Sequence, residues 1–258
     1  MFQPKIAAAA PDKADWQRYL VPEGWGRFTM RDHDTWDRLY ARQVRHLEGR
    51  VVSQFFTGLR RLDLQAPGIP KLKLLSQRLE AISGWKLVSV AGIVPDDAFF
   101  SMLTDRVFPI GNFIRDGEHL DYLEEPDCFH DIFGHVPLLA YQPVARLMEA
   151  LGHLGVAACA AGHGETIARL YWHTVEFGLA RESGDVRILG AGLASSFAEA
   201  THALEAEVPR PRFAIDAAAE TPYRSDAFQP LYFVSDSLEA ATAALEGLTS
   251  ERLVALAA

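Results

Sequence analysis

The sequence predicts a mainly helical α+β fold with a few short strands, gathered in one compact domain. Three observations predict it. Apolar residues recur at three- and four-residue spacing in most of the patterned segments, the mark of one-sided helices. Alternating β-branched runs are few and short. No repeat or low-complexity linker divides the 258 residues, and a chain near this size can bury roughly three quarters of its unfolded surface without staples.

The elements follow in chain order. Residues 1–25 carry Pro4, Pro11 and Pro22 and no clear period, so they read as an N-terminal arm before a folded domain over 26–258. Asp34 is the expected cap of a helix over 34–47, with Trp36, Leu39, Tyr40, Val44 and Leu47 on one side. A second helix is expected over 72–82, closed by Ser83 and Gly84, and then a short strand over 85–90. Pro95 and Asp96 open a helix over 96–106, and Pro143 lies in the first turn of one over 143–161. Residues 166–181 predict a strongly amphipathic helix. Ser196 and Glu199 fit a capping box for a helix through Leu204. A strand over 231–234 and a helix over 237–245 complete the pattern.

Composition excludes several classes. Hydrophobic residues make up 49% and charged residues 23%, as in ordinary globular chains rather than disordered or fibrous ones. The net charge of −9 argues against nucleic-acid binding, which needs a basic footprint. Two cysteines, Cys128 and Cys159, are too few for a disulfide framework and fit a reducing compartment. No run of ~18 apolar residues indicates a membrane span, and the N-terminus lacks the basic start and long apolar core of a signal peptide. The expected location is the cytoplasm.

The densest chemistry lies over 124–137, Glu-Glu-Pro-Asp-Cys-Phe-His130-Asp-Ile-Phe-Gly-His135-Val-Pro137. Two histidines five residues apart stand about 140° from each other on an ideal α-helix and do not share a face. They converge only if the helix changes near the second, and Gly134 and Pro137 supply a reason for that. A second signal is Glu176, on the apolar stripe of Ala168, Tyr171, Trp172, Val175 and Leu179. A carboxylate there is costly unless paired or coordinated. His173 belongs to the polar face with Arg169 and is not expected to be a ligand. Two imidazoles and one carboxylate suit the facial triad of a non-haem Fe(II) oxygenase. They equally suit a catalytic zinc site, although the helix-borne zinc protease motif has its histidines at i and i+4, with Glu following the first. Here Asp131 follows the first. Residue types and spacing leave iron and zinc open. They also leave open a non-catalytic amino-acid-binding module with structural histidines.

These residues carry a resemblance. Pro126-Asp-Cys-Phe-His-Asp-Ile-Phe-Gly-His-Val-Pro-Leu138, Leu170-Tyr-Trp-His-Thr-Val-Glu-Phe-Gly-Leu179 and Gly190-Ala-Gly-Leu-Ala-Ser-Ser-Phe-Ala-Glu199 resemble the core of the pterin-dependent aromatic amino acid hydroxylases. Residues 87–108 and 228–234 resemble the flanking family segments, so the likeness runs from about residue 36 to about 245. It implies a single catalytic monooxygenase domain over 26–258, with Fe(II) and a tetrahydropterin as cofactors. His130, His135 and Glu176 match the iron ligands. Asp127 matches an acidic residue supporting them from behind, and Asp131 stands beside it, where animal members carry Glu. Arg115 matches the arginine that holds the substrate carboxylate, and Ser195 a serine that helps hold the amino acid end. Trp172 and Pro126 match walls of the aromatic substrate pocket. Phe99 matches the ring that stacks on the pterin, Gly92, Ile93 and Val94 the backbone stretch beside it, and Tyr171 the same wall. Leu123 replaces a threonine of animal members. The compact length resembles bacterial members that convert L-phenylalanine to L-tyrosine with O2. Tryptophan or tyrosine is the alternative substrate. No tetramer-forming helix follows the core, so the expected state is a monomer that binds small molecules only.

Overall fold

The protein is described here from a computed structural model covering residues 15–121 and 125–256. Residues 1–14 of the expected arm, and Leu123, lie outside the described residues. Helix α1 spans Met30–Leu47 and begins before the expected Asp34. Its cap is Thr29, whose side chain accepts from the Asp32 N–H while the Asp32 carboxylate accepts from the Thr29 N–H at 2.7 Å. That reciprocal pair satisfies donors that Asp34 would leave open. Helix α2 (Ser53–Arg61), not anticipated, turns Phe55 and Leu59 inward. Helix α3 (Leu72–Ser83) stops at Gly84 as expected.

Strand β1 (Lys86–Val90), helix α4 (Asp96–Thr104) and strand β2 (Val107–Gly111) form a βαβ unit. The two strands run parallel, from Lys86 opposite Val107 to Val90 opposite Gly111. β2 escaped the sequence pattern because all its residues are buried, and a strand covered on both faces shows no alternation. α4 ends short of the expected 106, where Arg106 takes φ 56°.

Two segments depart from α-helix. A π-helical turn over His130–His135 leads into α5 (Val136–Leu139) and then α6 (Gln142–Ala160). Helix α7 (Gly164–Tyr171) runs into a second π turn over Trp172–Glu176. The helix expected over 166–181 is therefore cut short, and Leu179 opens strand β3 (Leu179–Glu182) instead. β3 pairs antiparallel with β4 (Asp185–Ile188) and parallel with β5 (Val234–Ser235), a shorter and later strand than the one expected over 231–234.

Helices α8 (Ala191–Ser195), α9 (Phe197–Ala203), α10 (Ile215–Glu220), α11 (Leu238–Glu246) and α12 (Ser250–Leu256) complete the fold. Ser196 caps α9 by accepting from the Glu199 N–H. The Glu199 carboxylate does not return to close the box. It accepts from the Gln229 N–H and the Tyr232 hydroxyl instead.

The core places the first π turn. Phe129 and Phe133 flank His130 in sequence, are fully buried, and stack at 4.9 Å between centroids. Trp36 of α1 meets Phe129 edge-on at 5.2 Å, and Phe55 of α2 meets Phe133 at 5.3 Å. Burying each such side chain contributes about 1.5–3 kcal/mol, so the segment between the rings is rooted on both sides. Among the described residues, no helix is long and apolar enough to cross a membrane.

Candidate active site

The spacing of five between His130 and His135 is resolved by winding. In a π turn the backbone closes i to i+5, so residues five apart come onto one face. The change is not confined to the second histidine, as the sequence suggested; it spans the whole stretch from His130 to His135. Pro137 assists, because it has no N–H to give the Phe133 carbonyl in α-helical register. In the second turn the Thr174 hydroxyl donates to the Leu170 carbonyl at 2.6 Å. Such side-chain bonding into the helix ladder loosens it locally. Glu176 ends that turn and faces the two imidazoles.

The three groups meet closely. His135 Nε2 lies 3.0 Å from Glu176 Oε1, His130 Nε2 lies 3.7 Å from Glu176 Oε2, and the two Nε2 atoms are 3.3 Å apart. One donor atom from each residue falls within 4.8 Å of the others. Burial would raise the Glu176 carboxyl, but His135 and His130 outweigh it and hold the group at about 2. The Tyr171 hydroxyl adds a hydrogen bond to the same carboxylate. Burial lowers His130 to about 4, so its imidazole is neutral. His135 is pushed up, because the Glu176 charge beside it overcomes the cost of burial.

Helix α8 supports both turns. Ser195 Oγ lies 2.9 Å from His130 Nδ1 and itself donates to the Ala191 carbonyl at 2.9 Å. Its proton is spent, so it accepts from Nδ1–H and leaves the Nε2 lone pair toward Glu176. α8 reaches this position only because two glycines admit it. A Cβ on Gly134 would meet the Ala191 carbonyl at 2.8 Å, and one on Gly190 would meet the Glu176 carbonyl at 2.2 Å.

Behind His130 stands a buried ion pair. Asp127 Oδ1 accepts the His130 backbone N–H at 2.9 Å. The Arg115 guanidinium grips both carboxylate oxygens, Nε to Oδ2 at 2.8 Å and Nη2 to Oδ1 at 2.9 Å. Burial would raise the Asp127 carboxyl, and Arg115 more than offsets it, holding it below the ordinary value. Among the described residues Asp131 has no guanidinium partner, and the pull of His135 is weaker than the cost of burial. Its Oδ2 accepts the Gly111 N–H at 2.7 Å, and burial pushes the group up to about 7.

A cavity of about 210 Å³ opens over the three donors. Gly92, Ile93, Val94, Phe99, Pro126, Tyr171 and Trp172 all line it, together with His130, His135, Glu176 and Asp131. The Phe99 ring stands edge-on to Tyr171 at 5.4 Å. Ile93 is 71% exposed. Arg115, Ser195 and Asp127 do not line the cavity. They stand behind it, on Asp127, His130 and Arg115 respectively. Cys128 is buried and its thiol is pushed up by burial, as suits a packed hydrophobe. His173 is no part of the cluster, as expected. It is nonetheless buried rather than on a polar face, with Nε2 at 2.9 Å from the Thr221 carbonyl.

Tyr223 and Phe108 are among the cavity residues that escaped the sequence reading. Tyr223 stacks on Trp172 at 4.2 Å with an 18° tilt, and Phe177 stacks at 5.0 Å. Phe108 leans on His135 at 4.8 Å. Tyr223 lies in a loop with no period to mark it, and Phe108 in the unpatterned strand β2. The Trp172 Nε1–H is buried without a partner among the described residues.

Two imidazole nitrogens and one carboxylate, presented on one side with the aromatic cavity on the other, fit a divalent transition metal with open coordination positions. Phe99 beside the 92–94 backbone offers a flat ring to a planar cofactor.

Comparison with known proteins bears on which metal and which cofactor. Residues 24–253 match the family model described as biopterin-dependent aromatic amino acid hydroxylase. The chain is 45% identical over 228 residues to a phenylalanine-4-hydroxylase of Caulobacter vibrioides, spanning 88% of this chain and 76% of that protein. It superposes on the Fe(III)-bound phenylalanine hydroxylase of Chromobacterium violaceum with a TM-score of 0.89 at 42% identity, covering 94% of this chain and 89% of that one. A structure of the same enzyme with iron and phenylalanine bound gives 0.86 at 40% identity over 93% and 88%.

Proposed function

The chain belongs to the biopterin-dependent aromatic amino acid hydroxylases, and from that premise we propose that it is a phenylalanine 4-monooxygenase, converting L-phenylalanine, O2 and a tetrahydropterin to L-tyrosine and a hydroxylated pterin. The observation that carries this reading is the meeting of His130, His135 and Glu176 under an aromatic-walled cavity. In this reading those three residues hold Fe(II). When bound, the iron and the reduced pterin supply the oxygen activation and the two electrons that no side chain here provides.

The chain's own residues do the rest. Ser195 keeps the His130 proton on Nδ1, so that Nε2 is the donor. Tyr171 and the imidazoles keep Glu176 ionised. Trp172 and Pro126 wall the substrate ring, and Phe99 with Gly92, Ile93 and Val94 receives the pterin. These apolar surfaces exclude water from the site during the reaction. Arg115, which stands behind the cavity and gives Nε and Nη2 to Asp127 and Nη1 to the Leu120 carbonyl, is assigned the substrate carboxylate through its remaining N–H groups, while Asp127 fixes its orientation and ties it to the His130 backbone. Asp131 supports the ligand turn from the β2 side. The domain is 26–258, working as a monomer in the cytoplasm on small molecules.

The test is an assay of ferrous-reconstituted protein with phenylalanine, tryptophan and tyrosine, with and without tetrahydropterin, reading product and iron together. Iron-dependent, pterin-dependent tyrosine formation from phenylalanine is expected. Preference for tryptophan or tyrosine would reassign the substrate within the family. Turnover with zinc and no pterin would overturn the reading.

A further inference from the structure

A second, rear cavity meets the ligand cluster at His135 alone. It measures about 30 Å³, against about 210 Å³ for the main one by the same measure, and His135 belongs to both linings. Both π turns border it, through Gly134 and His135 from one and Thr174 and Val175 from the other. Helices α6 and α11 wall it with Leu147, Met148, Leu238 and Ala241. Apart from His135, the lining's side-chain polar groups are already committed. The Thr174 hydroxyl donates to the Leu170 carbonyl at 2.6 Å, and the Thr242 hydroxyl to the Glu239 carbonyl at 2.9 Å.

We propose that this rear cavity is a binding site for dioxygen, set one side chain from the metal centre. The size admits a diatomic molecule: one water-sized probe needs about 10–15 Å³ on this kind of measure. It is far too small for a phenylalanine ring or a pterin. Water gains little there, since it needs two to four polar partners, whereas apolar cavities of this kind stay dry and take up apolar gases. The proposal rests on the oxygenase reading above and gives it a physical reason. With an amino acid and a pterin filling the main cavity, the third and smallest substrate has a separate apolar compartment against one of the three ligands, His135.

The test begins without turnover. In metal-free protein carrying methyl labels, xenon pressure is expected to give saturable shifts of the Leu147, Met148, Val175 and Leu238 methyl signals. Dissolved O2, being paramagnetic, is expected to broaden the same signals selectively. Ala241→Val from α11 and Leu147→Phe from α6 fill the cavity from two sides, so one suffices if the other fails to fold. Either is expected to abolish both effects. In iron-loaded enzyme the same variant raises KM for O2 several-fold, with kcat at saturating O2 and KM for phenylalanine unchanged. Absence of methyl shifts and broadening in the unaltered protein overturns the site. An unchanged KM for O2 in a variant that has lost gas binding overturns its part in the reaction. Failure of hydroxylation with gas binding intact would instead remove the proposed function and leave the cavity standing.

Discussion

Two largely buried glutamates, Glu176 and Glu199, sit in contrasting electrostatic surroundings, and the contrast separates a working carboxylate from a structural one. Glu176 faces two imidazoles and lines an open cavity, and its carboxyl is held at about 2, and so ionised, despite burial. Glu199 is 8% exposed and accepts from two neutral donors, the Gln229 N–H at 3.1 Å and the Tyr232 hydroxyl at 2.9 Å, with a weaker pull from His202. Burial pushes its carboxyl up. Gln229 in turn binds the Arg224 backbone from both ends of its amide, next to Tyr223 of the cavity wall. Glu199 therefore ties a loop to α9, while Glu176 leaves its charge available to a ligand. A buried acid alone does not mark a site; the kind of partner and the space beside it do.

The largest test of this contrast is Glu176→Ala. It is expected to abolish iron uptake and to cut tyrosine formation at least about a thousandfold, the loss of roughly 4 kcal/mol of metal-borne stabilisation. Metal analysis beside the rate decides it, and retained stoichiometric iron would refute the ligand assignment. Glu199→Ala should leave iron content intact and lower stability instead.

Asp127→Ala ranks next. It strands the Arg115 guanidinium, whose side chain is only 6% exposed, and breaking a buried pair this way costs about 3–5 kcal/mol. Urea unfolding measures it. The folded-state shift of Asp127 is downward, so its contribution is present above the ordinary carboxylate value and is lost as pH falls through the depressed one. The gap between unaltered protein and variant should accordingly narrow below about pH 4, and a gap independent of pH would contradict the pairing.

Ser195→Ala is expected to fold and to weaken iron binding by about 10–100-fold, the usual cost of losing the partner that orients a ligating histidine. An iron titration showing unaltered affinity would remove Ser195 from that role.

Glu199→Gln is the smallest. The amide still accepts from Tyr232 and Gln229 and carries no charge to desolvate, so stability at pH 8 should equal or exceed the unaltered protein by up to about 1 kcal/mol. Because the folded-state value of Glu199 is raised, its contribution is full at low pH and fades as pH rises through that value. The variant's advantage should therefore shrink toward pH 4. An advantage that grows on acidification would invert the assigned surroundings.

Much of the site was legible without coordinates. His130, His135 and Glu176 stood out as polar groups in apolar segments, and Phe99, Trp172, Tyr171 and Pro126 fell in motifs that reach the cavity wall. What stayed hidden has physical causes. Ideal helical periodicity read Glu176 on one long helix through Arg181, because a π turn leaves no mark in the apolar pattern. Asp34 read as the cap, whereas the cap is Thr29, through a reciprocal bond to Asp32 that the apolar pattern does not mark. Glu199 fitted a capping box, but its carboxylate found stronger partners far along the chain. Tyr223 and β2 carried no periodic signal.

The sequence by itself determined the inventory: two imidazoles and a carboxylate able to hold a metal, aromatic rings to wall a pocket, and helical stretches rich enough in apolar residues to bury a core. Only the tertiary structure decided how these meet. Convergence of donors from two segments depends on π winding, on two glycines that let α8 touch both turns, and on the Ser195 bond that selects a tautomer. The rear cavity likewise exists only between packed elements. Local sequence sets what each side chain can do, but distances of 3 to 4 Å between residues remote in the chain are fixed by the packing of the whole core.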